Sequence, residues 1–254
     1  MSYRPYQAFD FNLDVSRGAV SGTSGVNKFG RNTDVDQAVE AIWDGGGTTN
    51  YTPTGTWSAT AEIDYAVSSS ASDTGTIEIQ GLNSSWAFVT QTVTLTGTTA
   101  ASLGTNLIRV FRVKNTSATA AVGTIQVGVG STTSAFTAAN LRAQITIGYD
   151  QSLMALYSVP LGKTAYLTNW SASLNKGTGP TSGGVDVILW ARTFGGVFRV
   201  QDTKSLLVVG TSADRKDYNP YPSYAAKTDI VITAIASAND YDVSAAFDLF
   251  LVDD

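Results

Sequence analysis

From Trp57 onward the chain alternates apolar and polar positions in short runs. Trp57, Ala59, Ala61, Ile63, Tyr65 and Val67 interleave with Ser58, Thr60, Glu62, Asp64 and Ala66, the period of two expected of a strand buried on one face. After the polar turn SSSASDTG, Ile77, Ile79 and Gly81 continue on a second strand, and NSS leads on to Trp86 and Phe88. A third strand covers Val89 to Leu95. GTTAASLGT reads as a loop into a fourth strand over Leu107 to Val113. Asn115 to Ala121 turns again, Ile125, Val127 and Val129 alternate, and Leu141 to Ile147 closes the first half.

The second half reuses this plan. AYLTNWSASLN corresponds in pattern to ATAEIDYAVSS, VDVILWARTFGGVFRV to IEIQGLNSSWAFV, and SLLVVG to TVTLTG. TDIVITAIASANDYDVSAAFDLFLV follows the strand, turn and strand of NLIRVFRVKNTSATAAVGTIQVGV. An internal duplication is expected, although any two antiparallel sandwiches alternate in this way. GYDQS interrupts the strands between Gly148 and Ser158. The pattern therefore predicts an all-β protein of two tandem antiparallel β-sandwiches of jelly-roll or Greek-key type, spanning 57–150 and 151–254. In the last strand Val243, Ala245, Phe247, Leu249 and Leu251 alternate with Ser244, Ala246, Asp248, Phe250 and Val252. Both sets turn apolar toward the end, which predicts cover on two sides, the second from a partner subunit.

Residues 1–56 break the alternation and are expected to form an N-terminal arm, a loop and one short helix. Within Gly25 to Gly47, Asp34 is a candidate N-cap, with Gln37 completing a capping box. Val35, Ala38, Val39 and Ile42 form one helical stripe, so a helix is expected over Val35 to Asp44, stopped by Gly45, Gly46 and Gly47. Ahead of it, Tyr3, Tyr6, Phe9, Phe11 and Leu13 are too aromatic for a free arm and should pack on the protein's own body or on a neighbour.

Composition narrows the chemistry. The 254 residues include 24 Gly and 6 Pro, and 43% are hydrophobic, as in an ordinary turn-rich globular chain. Charged residues are 15% with a net charge of −5, against a usual quarter or so, and a sparsely charged surface suits burial against neighbouring subunits. Without a Lys/Arg cluster, no nucleic-acid partner is expected. There is no Cys and no His. Those absences exclude disulfides, thiolate nucleophiles, Cys or His metal ligands and a Ser-His-Asp triad. No membrane partner is expected, since no stretch reaches the roughly 20 apolar residues of a span. The N-terminus lacks a signal-peptide pattern, and synthesis in the cytoplasm is expected.

The run NKFGRNTDVDQAVEAIWDGGG followed by YTPTGTW resembles the N-terminal part of structural proteins of tailed phages, particularly those of marine bacteria. The resemblance continues through GTIEIQGLN, VPLGKTAYLTNW and KTDIVITAIASANDYDVSAAFDLFLVDD. It implies a non-enzymatic virion protein: a capsid decoration or cement protein, or else a tail, neck or head-fibre component. It implies a homo-oligomer in contact with other virion proteins such as the major capsid protein, made in the host cytoplasm and located in the virion. No catalytic residue follows from it.

Candidate chemistry is sparse. Asp34, Asp36, Glu40, Asp44, Glu62, Asp64 and Glu78 are the carboxylates weighed for glycoside hydrolysis, and all are better explained locally. Asp34 to Asp44 lacks the glycine and the terminal acid of an EF-hand, and GTGPTSGG lacks the Lys-Ser/Thr ending of a phosphate loop. No cofactor and no metal is expected. Trp43, Trp57, Trp86, Trp170 and Trp190 are expected in the core or at interfaces, the alternative being a sugar-stacking platform that would bind a host glycan. The candidate interaction surface is Tyr218, Tyr221 and Tyr224 in the rigid loop DYNPYPSY, with Tyr3 and Tyr6 of the arm.

Overall fold

The computed structural model describes residues 10–175, 177–210 and 212–254. Chain order begins with α1 (Phe11–Ser16), β1 (Thr23–Val35) and β2 (Glu40–Ala41). Next come β3 (Ile63–Ser68), β4 (Thr76–Leu82), β5 (Phe88–Thr94), β6 (Ala101–Leu107), β7 (Arg109–Asn115), β8 (Ile125–Val129) and β9 (Leu141–Ile145). The remainder is β10 (Leu156–Ser158), β11 (Lys163–Asn175), β12 (Gly184–Thr193), β13 (Arg199–Leu207), β14 (Ala213–Asp217), β15 (Ser223–Tyr224), β16 (Thr228–Ala236) and β17 (Tyr241–Asp253). The class is all-β, with antiparallel pairing throughout the sheets.

The N-terminal sandwich faces a sheet ordered β6-β3-β8-β9 against one ordered β5-β4-β7. Residues 150–152 run along the open edge of β7, through the Lys114–Gln151 bridge and the Ser152 amide donating to the Val113 carbonyl at 2.9 Å. The C-terminal sandwich repeats the arrangement as β14-β11-β17-β1 against β13-β12-β16, with β10 and β2 sharing the open edge of β16. Each body thus has the four-on-four strand positions of a jelly roll. Position by position, β3 to β8 correspond to β11, β12, β13, β14, β16 and β17; the sequence pattern gives these pairs except β6 with β14, which it leaves unmatched.

The bodies differ in where the chain fills the last two positions, and this corrects the tandem plan. In the N-terminal body they are filled by β9 and residues 150–152, which follow β8. In the C-terminal body they are filled by β1 and by a split strand, so residues 23–42 belong to that sandwich and not to an arm spanning 1–56. Glu40 and Ala41 pair with Ala234 and Thr233, and Leu156 to Ser158 pair with Val231 to Asp229, end to end along β16. At the break the Ile42 amide donates to the Ile232 carbonyl (3.0 Å), the Ile232 amide to Ala155 (3.1 Å), and the Ala155 amide to Ile42 (3.0 Å). Trp43 bridges Met154 one residue further out. The N-terminal sandwich is therefore an insertion, residues 43–154, within one strand of the C-terminal sandwich.

The helix expected over Val35 to Asp44 is absent: the stretch is the end of β1, a bend and the short strand β2. Val35 pairs with Tyr241 at the end of β1, and Val35, Ala41, Ile42 and Trp43 are buried in the core. Long-range pairing to β16 and β17 overrides a helical stripe that was only local. The helix lies instead over Phe11–Ser16, with the Asp10 carboxylate accepting from the Leu13 amide at 3.2 Å. It packs Phe11 on Phe250 of β17, ring centroids 5.1 Å apart, and Tyr221 flanks the same ring. Phe250, near the end of β17, is thus covered from within the chain. Two smaller corrections follow. Trp57 sits in a turn region ahead of β3, its indole donating to the Thr52 carbonyl at 3.0 Å, and much of GTTAASLGT is strand β6.

Candidate functional site

The tyrosine loop joins β14 to β15 at the edge of the large C-terminal sheet, and its three tyrosines have different surroundings. Tyr218 donates to Asp202 Oδ2 at 3.0 Å, and the same oxygen takes the Trp170 indole N–H at 3.0 Å and Lys216 Nζ at 2.9 Å. Burial alone would raise the Asp202 pKa, but hydrogen bonds from Lys216, Trp170, Tyr218 and the Thr203 amide hold it at about 2. Burial, then the bond to Asp202, push the Tyr218 phenol up. Tyr224 is buried in β15 opposite Ala165, its hydroxyl enclosed without a partner and its pKa pushed up to about 12 by burial and by Asp202. Tyr221 alone of the three is solvent-facing, 48% exposed. Tyr3 and Tyr6 lie outside the described residues.

Tyr221 stands at one side of a groove of about 830 Å³ between α1, the start of β1 and the outer face of β17. Asn12 and Ser16 line one wall, Arg215 and Asp217 the other, and Asp248 and Phe250 the floor. Arg215 pairs with Asp217 at 2.8 Å, while Asp248 accepts from Asn169 at 2.9 Å and from Asn27. The rings of Tyr221 and Phe250 meet at 63°, so they do not form one flat stacking platform. Of the tryptophans, Trp43, Trp86 and Trp170 are buried, and Trp57 and Trp190 are partly buried against the core.

The chain matches no family model, no curated protein and no solved structure. What the site can do must therefore be read from its own chemistry. Asp34, Asp36 and Asp240 bring carboxylate oxygens within 4.8 Å of one another, and these are the described residues able to hold a cation. Desolvation first, then Asp36 and Asp240, raise the Asp34 pKa. Of the other weighed carboxylates, Asp44 is buried with Oδ2 accepting from the Thr146 amide at 3.3 Å and Oδ1 without a partner, and the rest have local partners. Glu40 accepts from Asn32 at 2.9 Å and Asp64 from the Gly130 amide at 2.7 Å. Glu78 accepts from Gln80 at 2.9 Å, and Glu62 lies 3.6 Å from Arg142. GTGPTSGG links β11 to β12, with Gly177 and Gly183 at positive φ.

Sequence reasoning missed the seam between the sandwiches. Arg109 of β7 forms a bidentate pair with Asp229 of β16 at 2.8 and 2.9 Å, with side-chain exposures of 1% and 0%. Asp229 also accepts from Ser158 at 2.6 Å and Arg192 at 3.2 Å. The Arg109 guanidinium lies over the rings of Trp57, Trp86 and Phe194, at 5.4, 5.0 and 5.8 Å. The available signal was a single charge inside an apolar run: Arg109 in LIRVF and Asp229 in TDIVITAIA. Such a residue is either outward-facing or paired in the interior.

Proposed function

We propose that this chain is a non-enzymatic virion structural protein of a tailed phage. In this reading it decorates or cements the capsid surface through contacts with copies of itself and with the major capsid protein. The observation that carries the reading is the outer face of the large sheet. There β1, β17 and β11, each 13 residues long, lie side by side, a face about 40 Å long at roughly 3.3 Å per residue. Around a shallow depression in it stand Ser171, Ser173, Ser244 and Ala246, beside Phe29 and Arg31. Short side chains lose little rotamer freedom when covered, so such a face suits a broad, shape-matched contact. The buried Arg109–Asp229 link, which makes one block of two sandwiches, and the resemblance to phage structural proteins point the same way.

The test is incorporation. Ser173→Arg combined with Ala246→Arg changes two side chains on that face and should leave circular dichroism and thermal unfolding near those of the parent. The doubly substituted protein should fail to join particles, and by light scattering should lose any oligomer the parent forms. Equal incorporation would remove the face from the interaction. Labelled protein located in particle images separates a capsid position from a tail, neck or head-fibre one. A second reading, host-glycan binding, draws on Tyr221 beside Asp217 and Asp248. It predicts glycan-array signal lost in Tyr221→Ala, which the assembly reading does not.

A further inference from the structure

We propose that the cleft at the seam between the sandwiches binds a small carboxylate with an apolar body, its charge met by Lys28 and Arg112 and its body by Phe88, Phe111 and Leu161. The cleft measures about 480 Å³, within the roughly 300–1,000 Å³ of small-molecule sites. It forms only where the two bodies meet, since Lys28 comes from β1 of one sandwich and Phe111 and Arg112 from β7 of the other.

The charge balance identifies the ligand. Lys28 is 4% exposed, and its one acceptor among the described residues is the Phe111 carbonyl, with the Phe111 ring centroid 5.7 Å away. An ammonium carries three donors, so two remain unspent in a buried place, where unmade hydrogen bonds are expensive. Arg112 donates to the Asn27 carbonyl at 2.8 Å and has no carboxylate partner among the described ion pairs. Lys163, a third cation on the lining, is matched by Asp253. No Asp or Glu lines the cleft. Burial, and then Arg112, push the Lys28 pKa well down, the mark of a cation lacking its counter-charge. A carboxylate supplies one negative charge and two oxygens for two donor groups.

The remaining lining selects the rest of the molecule. Phe88 and Leu161 stand at the mouth, 50% and 56% exposed, and Tyr157 and Phe111 close the interior with ring centroids 4.6 Å apart. That is an apolar channel leading to a cationic end. Acetate would fill only the end, and an uncharged alcohol only the channel.

Isothermal titration with 4-phenylbutyrate, 4-phenyl-1-butanol and acetate tests this on the full chain. The acid should bind saturably at one site, at least tenfold more tightly than either the alcohol or acetate. Lys28→Met and Arg112→Gln should each weaken the acid at least fivefold and leave the alcohol within twofold. Because Lys28 is buried, Leu161→Asp at the exposed mouth is the safeguard: it leaves the interior intact, removes an apolar contact that acid and alcohol share, and adds a negative charge that should weaken the acid more than the alcohol. Equal affinity for acid and alcohol, no saturable binding of the acid, or unchanged acid binding in Arg112→Gln and Leu161→Asp would each overturn the proposal.

Discussion

At the scale of single residues, the seam and the insertion stem are held by polar groups in places that usually hold hydrocarbon. Removing one partner of a buried ion pair strands the other charge, whereas replacing both with apolar groups of similar size is close to neutral. Arg109→Met should therefore destabilise the protein by up to about 3–5 kcal/mol, less as far as Arg192, 3.2 Å from Asp229, still meets the charge, and Arg109→Met with Asp229→Leu should recover only part of that loss, since Arg192 and Ser158 then lose their acceptor. Urea unfolding of the parent, both single variants and the double variant measures it. Asp44, at the insertion stem, gives a pH signature. Its Oδ1 is enclosed without a partner, and burial pushes its pKa up to about 8, opposed by the Thr146 and Leu153 backbone. A folded pKa above the unfolded one means that the native state holds the proton more tightly. The resulting stabilisation is full below the ordinary carboxyl value of about 3.9 and is lost as pH rises through about 8. Asp44→Asn should remove this slope, at most about 1.4 kcal/mol per pH unit. Unfolding curves of the two proteins from pH 4 to pH 9 should diverge above pH 4 and run parallel beyond the upper titration.

At the scale of elements, β1 shows what the sequence conceals. Its inward positions between Lys28 and Asn32 are Lys28, Gly30 and Asn32, polar or bare, because this stretch faces the splice and the seam. A strand with such an inner face has no apolar alternation to read, and the helical stripe beginning at Val35 filled the gap. Gly30 is bare for a steric reason: a Cβ there would lie 2.2 Å from the Ile42 carbonyl oxygen and 2.3 Å from the Ala155 nitrogen. Gly30→Ala should therefore push apart the two chain passes that meet at the split strand, at a cost of about 1–3 kcal/mol or more. Gly25→Ala on the same strand meets nothing within 4 Å and should change stability by less than about 0.5 kcal/mol. Equal effects of the two in thermal unfolding would show that the splice does not need the close approach. By contrast, β4, β11, β12 and β17 were legible because a drier and a wetter face alternate along much of each, and β16, buried on both faces along almost its whole length, because it reads as a nearly continuous apolar run. The β11 register shift between Leu167 and Asn169 moves burial from Ala165 and Leu167 to Trp170, Ala172 and Leu174, a phase change visible in the residues themselves. The candidate surface was legible in part. Tyr221 could be placed outside, but Tyr218 and Tyr224 carry the same side chain and only tertiary packing turned them inward.

At the scale of the whole molecule, insertion and tandem arrangement make opposite predictions about which pieces fold. A tandem pair would separate near 150 into two stable halves. Here residues 151–254 lack β1 and β2, so Phe247 and Leu249 would lose the neighbouring strand on one side, and that fragment should fail to fold. The inserted body has its ends at the Trp43–Met154 bridge, and closely spaced termini are the usual mark of a separable unit. Residues 43–154 alone should therefore give dispersed amide resonances and a cooperative melt. The complementary chain, with Ile42 joined to Ala155 through one or two glycines, restores β2 and β10 as one strand along β16 and should fold as well. It should be less soluble, since Tyr157, Phe194 and Phe198 of the seam become exposed. If 151–254 folds and the spliced chain does not, the split strand is not the organising feature of the C-terminal body. If neither 43–154 nor the spliced chain folds, the Arg109–Asp229 seam has made the two sandwiches a single cooperative unit, and loss of that ion pair should then unfold both at once.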